Sequence, residues 1–204
     1  MDKFGIIILA AGSASRMGQP KQLLDFHGMP LIRHAVVEAL AVGCHPVIVV
    51  CGAIVDPIRH ALAGLAVEIA VNPQWEKGMG TSIQTGLRHL ESFAVDGMIL
   101  ALADQPLVGR ASYQKLLATQ RETGSPIVSS HYADTVGVPV LFAPEYFPHL
   151  MALAPAQGCK GVIQAHRSHA TLVDCPDATA DIDTRDDYER VLAEFLDRQA
   201  KPGA

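Results

Sequence analysis

Four short stretches hold the residues whose types and spacing could do chemistry. The first is Leu9-Ala10-Ala11-Gly12-Ser13-Ala14-Ser15-Arg16-Met17-Gly18-Gln19-Pro20-Lys21, a run of small residues after three isoleucines, with two cations spaced through it. Residues without bulky side chains let a backbone approach a ligand closely, and exposed N–H groups with nearby cations suit an anion such as phosphate. The second, Leu102-Ala103-Asp104-Gln105-Pro106, puts a carboxylate at the end of an apolar run. A carboxylate facing bound phosphates suits Mg²⁺, although Asp104 could also only cap the following turn. The third, Asp181-Ile182-Asp183-Thr184, offers two carboxylates that point to one side of an extended segment while Ile182 turns inward. Asp183 is expected to serve a metal, Asp181 is a weaker candidate, and charge at a helix start is the competing reading of both. The fourth, Asn72 to Ile83, places Gly78, Gly80 and the hydroxyls of Thr81 and Ser82 at a helix start, which suits either a polar ligand or a plain cap.

Two familiar phosphate-binding patterns do not fit. The first loop lacks GxGxxG, and it is not GxxxxGK[ST], because Gly18 is followed by Gln19 and Pro20. A flexible Gly/Ser turn is the bland alternative. The cations and the stiffening Pro20 argue for anion binding instead.

These stretches need elements to position them. Apolar runs at Gly5–Ala10, Pro46–Cys51, Val67–Val71, Gly97–Ala103, Pro126–Ser129, Pro139–Phe142 and Thr171–Val173 read as short strands. Several are apolar throughout, as expected for strands covered on both faces. Ile32, Ala35, Val36, Ala39 and Leu40 make a helical stripe with Gly43 as terminator, and Ile83, Leu87 and Leu90 make a second. Tyr188, Val191, Leu192, Phe195 and Leu196 make a third, opened by Thr184 and Asp187 in a capping-box pattern. Alternation of strand and helix predicts an α/β fold, a mainly parallel sheet with helices on both faces. Ligands of such sheets bind beyond the carboxyl ends of strands, where the candidate residues fall. Residues 1–198 are expected to form one domain, with a frayed tail over 199–204.

Composition narrows the classes. The 204 residues are 49% hydrophobic and 18% charged, as in a compact enzyme, and the net charge of −5 with no basic run disfavours nucleic acid. No run of about 20 apolar residues suggests a membrane span. Met-Asp-Lys-Phe leads straight into a strand without a signal-peptide pattern, so a cytoplasmic location is expected. Cys44, Cys51, Cys159 and Cys175 lack CxxC spacing and read as reduced, buried or half-buried thiols. Of nine histidines only His166 and His169 share a helical face, with no acid or thiol beside them, so no zinc site is expected.

Together, LAAGSASRMGQPK, NPQWEKGMGTSIQTGL, ALADQP, GVPVLF and DIDTRDDY resemble the small nucleotidyltransferases related to molybdenum cofactor cytidylyltransferase and guanylyltransferase. The resemblance runs from about residue 5 to residue 195. It implies a three-layer Rossmann-like nucleotidyltransferase fold that binds an NTP with Mg²⁺. By the same resemblance, Leu9, Ala10, Ala11 and Gly12 wrap the nucleotide, Arg16 and Lys21 hold its triphosphate, and Asp104 and Asp183 bind the metal. Gly78, Gly80 and Ser82 then lie at the base and ribose, with Met79 beside them. Leu-Ala-Ala-Gly is the form cytidylyl members tend to carry, against Leu-Ala-Gly-Gly in guanylyl members. The implied reaction moves CMP from CTP to the phosphate of molybdopterin cofactor, with release of pyrophosphate. A phosphate monoester is already anionic at neutral pH, so no Ser, Cys or His nucleophile is required. One departure concerns the acceptor side. Pro155-Ala156-Gln157-Gly158-Cys159-Lys160 replaces the family's Gly-Asp-x-Gly-Ala-Arg/Lys and drops its acid. A guanylyl or sugar-phosphate transferase remains an alternative, as does a non-catalytic carrier delivering molybdenum cofactor to a molybdenum hydroxylase apoenzyme.

Overall fold

The computed structural model describes residues 3–12 and 18–200. Its first strand, β1 (Phe4–Ala10), is buried along its whole length. Successive side chains of a strand point to opposite faces, so an unbroken apolar strand needs cover on both. Ile6 and Ile8 enter one core, Ile7 and Leu9 the other.

The chain continues through β2 (Asp25–Phe26), β3 (Met29–Pro30), α1 (Leu31–Leu40), β4 (Val47–Cys51), α2 (Val55–Ala61), β5 (Glu68–Val71), α3 (Met79–Leu90) and β6 (Gly97–Leu102). Then come α4 (Arg110–Thr123), β7 (Ile127–Tyr132), β8 (Thr135–Phe142), α5 (Phe147–Met151), α6 (Lys160–Ala165), β9 (Ala170–Asp174) and α7 (Arg185–Ala200). Among the described residues the main sheet has the order β5-β4-β1-β6-β8-β7-β9. β1 pairs in parallel with β4 and β6, β4 with β5, and β7 with β9; β8 runs antiparallel to β6 and β7. The expected α/β architecture is present, mainly parallel, with β8 as the strand that runs against the others among the described residues.

Helices α1, α2 and α4 cover one face through Ile32, Val36, Ile58, Tyr113 and Leu116. Helices α3, α5 and α6 cover the other through Ile83, Leu87, Leu150 and Ile163. A third cluster gathers Leu24, Phe26, Leu31, Leu107 and Ile182 under Val191 of α7. Thr184 and Asp187 close the expected capping box, with the Thr184 N–H and hydroxyl donating to Asp187 Oδ2 at 3.0 and 2.7 Å. Those hydrogen bonds from Thr184 hold the Asp187 carboxyl below its ordinary pKa. The helix they open runs from Arg185 through Ala200, two residues past the expected domain end at 198.

The order β4-β1-β6 makes β1 the point where the chain stops building outward on one side and crosses to the other. In a doubly wound sheet such a switch point opens a crevice beyond the strand ends. Here that crevice lies at Ala10 of β1 and Leu102 of β6, next to the small-residue loop and Asp104.

All four thiols are free; Cys51, Cys159 and Cys175 are buried. Burial pushes the Cys51 thiol up to about 11 and the Cys159 thiol up to about 12. Thiolate is the reactive form, so at pH 8 alkylation of native Cys51 should run at least about a hundredfold slower than that of an ordinary thiol. Iodoacetamide labelling followed by peptide mass spectrometry, with and without denaturant, measures this ratio.

Candidate active site

Lys21 opens a 3₁₀ turn, Lys21–Leu23, directly after Pro20. Its Nζ donates to Asp104 Oδ2 at 2.6 Å, Asp183 Oδ1 at 2.8 Å and the Ile182 carbonyl at 3.2 Å. The side chains of Lys21, Asp104 and Asp183 are 14%, 22% and 52% exposed, so the group sits at the sheet rim with its cation largely covered. Burial lowers the Lys21 ammonium, but the attraction of Asp104 and then Asp183 outweighs it, leaving Lys21 above its ordinary value. For Asp104, burial pushes the carboxyl up and Lys21 opposes it.

Three residues far apart in sequence meet here because the backbone ties them. Asp104 follows β6, and its carbonyl accepts from the Ile182 N–H at 2.9 Å. Ile182 is fully buried in the third cluster, so Asp181 and Asp183 face outward on either side of it. Leu24, in the same cluster, anchors the end of the turn that carries Lys21. Of the two expected carboxylates only Asp183 reaches Lys21.

The small-residue loop is held from below by Gln22. Its Nε2 donates to the carbonyls of Ala10 and Gly12 at 3.0 and 2.9 Å, and the residue is 2% exposed. On the facing side, buried Asn72 donates from Nδ2 to Thr81 Oγ1 and Ser82 Oγ at 2.9 and 3.0 Å, tying the end of β5 to the start of α3. Between these walls lies a cleft of about 330 Å³. Leu9, Ala10, Ala11, Gly12, Lys21, Gly78, Ser82 and Asp104 all line it, and so do Gln22, Trp75 and Met79.

One expected residue sits elsewhere. Gly80 faces away from the cleft: its N–H donates to the Pro155 carbonyl at 2.9 Å, and a Cβ there would stand 2.4 Å from the Ala154 carbonyl oxygen. Its smallness serves the packing of the 154–157 segment. Gly78, at φ +123°, both lines the cleft and meets that segment, with the Pro155 oxygen 2.6 Å from where a Cβ would be. Arg16 falls outside the described residues.

Gln22, Asn72 and Trp75 were missed by the sequence reading. For Gln22 a signal existed, since it is an uncharged polar residue set between Lys21 and a pair of leucines. Asn72 offered one as well, standing where β5 ends and the glycine-rich helix start approaches.

The donor set is suited to a hard divalent cation, which favours carboxylate and carbonyl oxygens. Asp104 Oδ1 is buried and has no hydrogen-bond partner, so one acceptor of this carboxylate is unmet. Among the described residues no group of three His, Cys, Asp or Glu gathers to hold a metal unaided. Phosphate oxygens would have to complete the coordination. Two carboxylates and one ammonium beside a cleft of this size suit phosphoryl or nucleotidyl transfer, which needs alignment and charge neutralisation.

Fold and site therefore define a nucleotidyltransferase. Residues 6–171 match the family described as the MobA-like NTP transferase domain, and the chain belongs to that family. It is 28% identical to nicotine blue oxidoreductase of Paenarthrobacter nicotinovorans over 195 residues, covering 91% of this chain and 95% of that one. It is also 28% identical to the purine catabolism protein PucB of Bacillus subtilis (strain 168) over 200 residues, 91% and 94% of the two chains. Among solved structures, a manganese complex of Rv0371c from Mycobacterium tuberculosis H37Rv superposes with a TM-score of 0.74 at 28% identity, covering 94% of this chain and 98% of that one. Among the described residues no helix is long and apolar enough to cross a membrane.

Gly80→Ala should cost roughly 1–3 kcal/mol of stability, because the new methyl meets fixed backbone carbonyls and not a movable side chain. Urea denaturation measures the loss, and faster proteolysis around residues 154–158 should accompany it. A neutral substitution would show that the segment yields freely.

Proposed function

We propose that the protein transfers CMP from CTP to the phosphate of molybdopterin cofactor, releasing pyrophosphate. The observation that carries the transferase reading is the convergence of Lys21, Asp104 and Asp183 beside a cleft at the switch point of the sheet. An oxygen of the acceptor phosphate forms a new bond to the α-phosphorus, and the bond from that phosphorus to the bridging oxygen of pyrophosphate breaks. Lys21 supplies positive charge to the phosphates, and the carbonyl-pinned loop at Ala10 to Gly12 presents backbone to the nucleotide. Asp104 and Asp183 are the residues that would hold Mg²⁺, which neutralises phosphate charge when bound. Arg16 is assigned to the triphosphate on the sequence resemblance.

CTP is the assigned nucleotide because Ala11 lines the cleft, and a methyl beside a base leaves less room for a purine than for a pyrimidine. The acceptor is assigned from the sequence segments shared with the molybdenum cofactor branch, and a molybdenum hydroxylase apoenzyme would be the recipient of the product. Retention of both carboxylates and of Lys21 weighs against a carrier without activity. Because one relative is named an oxidoreductase, oxidation of NADH and NADPH belongs in the assay as a control.

The test is pyrophosphate release from each of the four NTPs with Mg²⁺, with and without molybdopterin cofactor. Turnover should require the acceptor and be fastest with CTP, and Asp104→Asn should reduce it by at least about a hundredfold. Release that ignores the acceptor would overturn the assigned acceptor, and an Asp104→Asn variant within about threefold of wild type would overturn the metal assignment.

A methyl-sized contact usually gives about 10- to 200-fold selectivity. Ala11→Gly should therefore narrow the CTP preference without reversing it, as read by competition between equal concentrations of CTP and GTP. Equal use of both nucleotides by wild type would leave a transferase that is not a cytidylyl enzyme.

A further inference from the structure

We propose that Lys21 is a built-in counter-ion that competes with the divalent metal for one set of oxygens, so that metal enters together with nucleotide and not ahead of it. The inference rests on the reading of Asp104 and Asp183 as metal ligands.

The first argument is saturation. An ammonium has three N–H donors and no acceptor. Lys21 spends all of them, on Asp104 Oδ2, Asp183 Oδ1 and the Ile182 carbonyl. The same amine cannot hold those oxygens and a triphosphate at once, so to serve a nucleotide it has to leave them.

The second argument is charge. Two carboxylates and one ammonium leave the group at −1, and withdrawing Lys21 alone would expose −2 to an incoming polyanion. Removing one partner of a covered ion pair is strongly unfavourable unless another cation replaces it. A divalent ion arriving alone faces the opposite difficulty, since it must expel an ammonium that then has no anion to receive it. When metal and triphosphate come together, the ion takes the carboxylates while the phosphates take Lys21. Each exchange removes the obstacle to the other.

The third argument is the ligand count. Lys21 leaves Asp104 Oδ1 buried and unmet, whereas a hard cation accepts several oxygens. Yet among the described residues no third acidic, histidine or cysteine side chain gathers with Asp104 and Asp183 into a group that could hold a metal, although Glu76 lines the cleft. Without phosphate oxygens the protein's own donors are too few for tight binding.

Mn²⁺ serves as the probe, its free signal read by electron paramagnetic resonance during titration of nucleotide-free protein. Wild type should bind Mn²⁺ at least tenfold more weakly than Lys21→Met. Addition of α,β-methylene-CTP, with the GTP analogue as a parallel arm, should tighten wild-type binding at least tenfold and the variant less. The double variant Lys21→Met/Asp183→Asn should lose the gain, which places the ion on these carboxylates. Because Lys21→Met strips a covered carboxylate of its partner and could unfold, a second readout uses wild type alone. Saturating Mn²⁺ without nucleotide should speed acylation of Lys21 at least tenfold, as quantified by peptide mass spectrometry. Lys21→Met binding Mn²⁺ no tighter than wild type, or Lys21 staying equally protected at saturating Mn²⁺, would overturn the inference. Turnover is not a readout here. A protein that fails the nucleotide panel but shows the exchange keeps the counter-ion, and one that turns over without the exchange loses it.

Discussion

Holding two carboxylates at a half-covered sheet rim is the requirement that the rest of this structure serves. Their mutual repulsion and lost hydration must be offset by a nearby cation, by backbone bonds, or by both. Lys21 supplies the cation at 2.6 and 2.8 Å. The bond from the Ile182 N–H to the Asp104 carbonyl supplies the second tie, and it fixes the spacing between the two acids without using either side chain. Most of the surrounding architecture keeps those contacts in register.

That explains the third hydrophobic cluster, which sits apart from the two cores that stabilise the sheet. α7 packs Val191 against Ile182, Leu24 and Phe26, and the Tyr188 hydroxyl donates to the Asp25 carbonyl at 2.5 Å. The segment bearing Asp183 and the turn bearing Lys21 thus rest on one helix from the end of the chain. Asp183 and Lys21, separated by 162 positions, are held by one packing cluster. α7 is therefore a determinant of site geometry.

Much of the sheet was legible because its strands are apolar on both faces. β1, β4 and β6 gave uninterrupted runs, and the three stripes identified became α1, α3 and α7. The hairpin was seen only in part. β7 continues through Ser129, Ser130, His131 and Tyr132, where Ser129 and Ser130 are buried but satisfied by the carbonyls of Gly137 and Pro139. A polar strand that pairs well leaves no hydrophobic period to read. α4, rich in Gln, Arg and Thr, buries only a narrow stripe at Tyr113, Leu116 and Leu117 and escaped for a similar reason. At the site, Lys21, Asp104 and Asp183 could be named because charged residues at strand ends stand out. Gln22 and Asn72 act on backbone and hydroxyl partners brought near by folding, which spacing alone does not express. Gly80 was noticed for its smallness, but only the fold reveals which neighbour that smallness accommodates.

The seam between α3 and the 154–157 segment is made of main chain. Gly80 N–H meets the Pro155 carbonyl, and the Gln84 amide reaches the carbonyls of Met151 and Leu153 at 3.1 and 2.9 Å. Contacts of that kind depend little on which side chains the segment carries. Evolution can therefore rewrite Pro155 and Ala156 while the wall containing Gly78 and Ser82 keeps its shape, whereas the Gln157 Oε1 accepts from the Ala154 N–H at 3.0 Å and ties the segment to itself. A segment held through its main chain is one where new chemistry could be acquired one residue at a time.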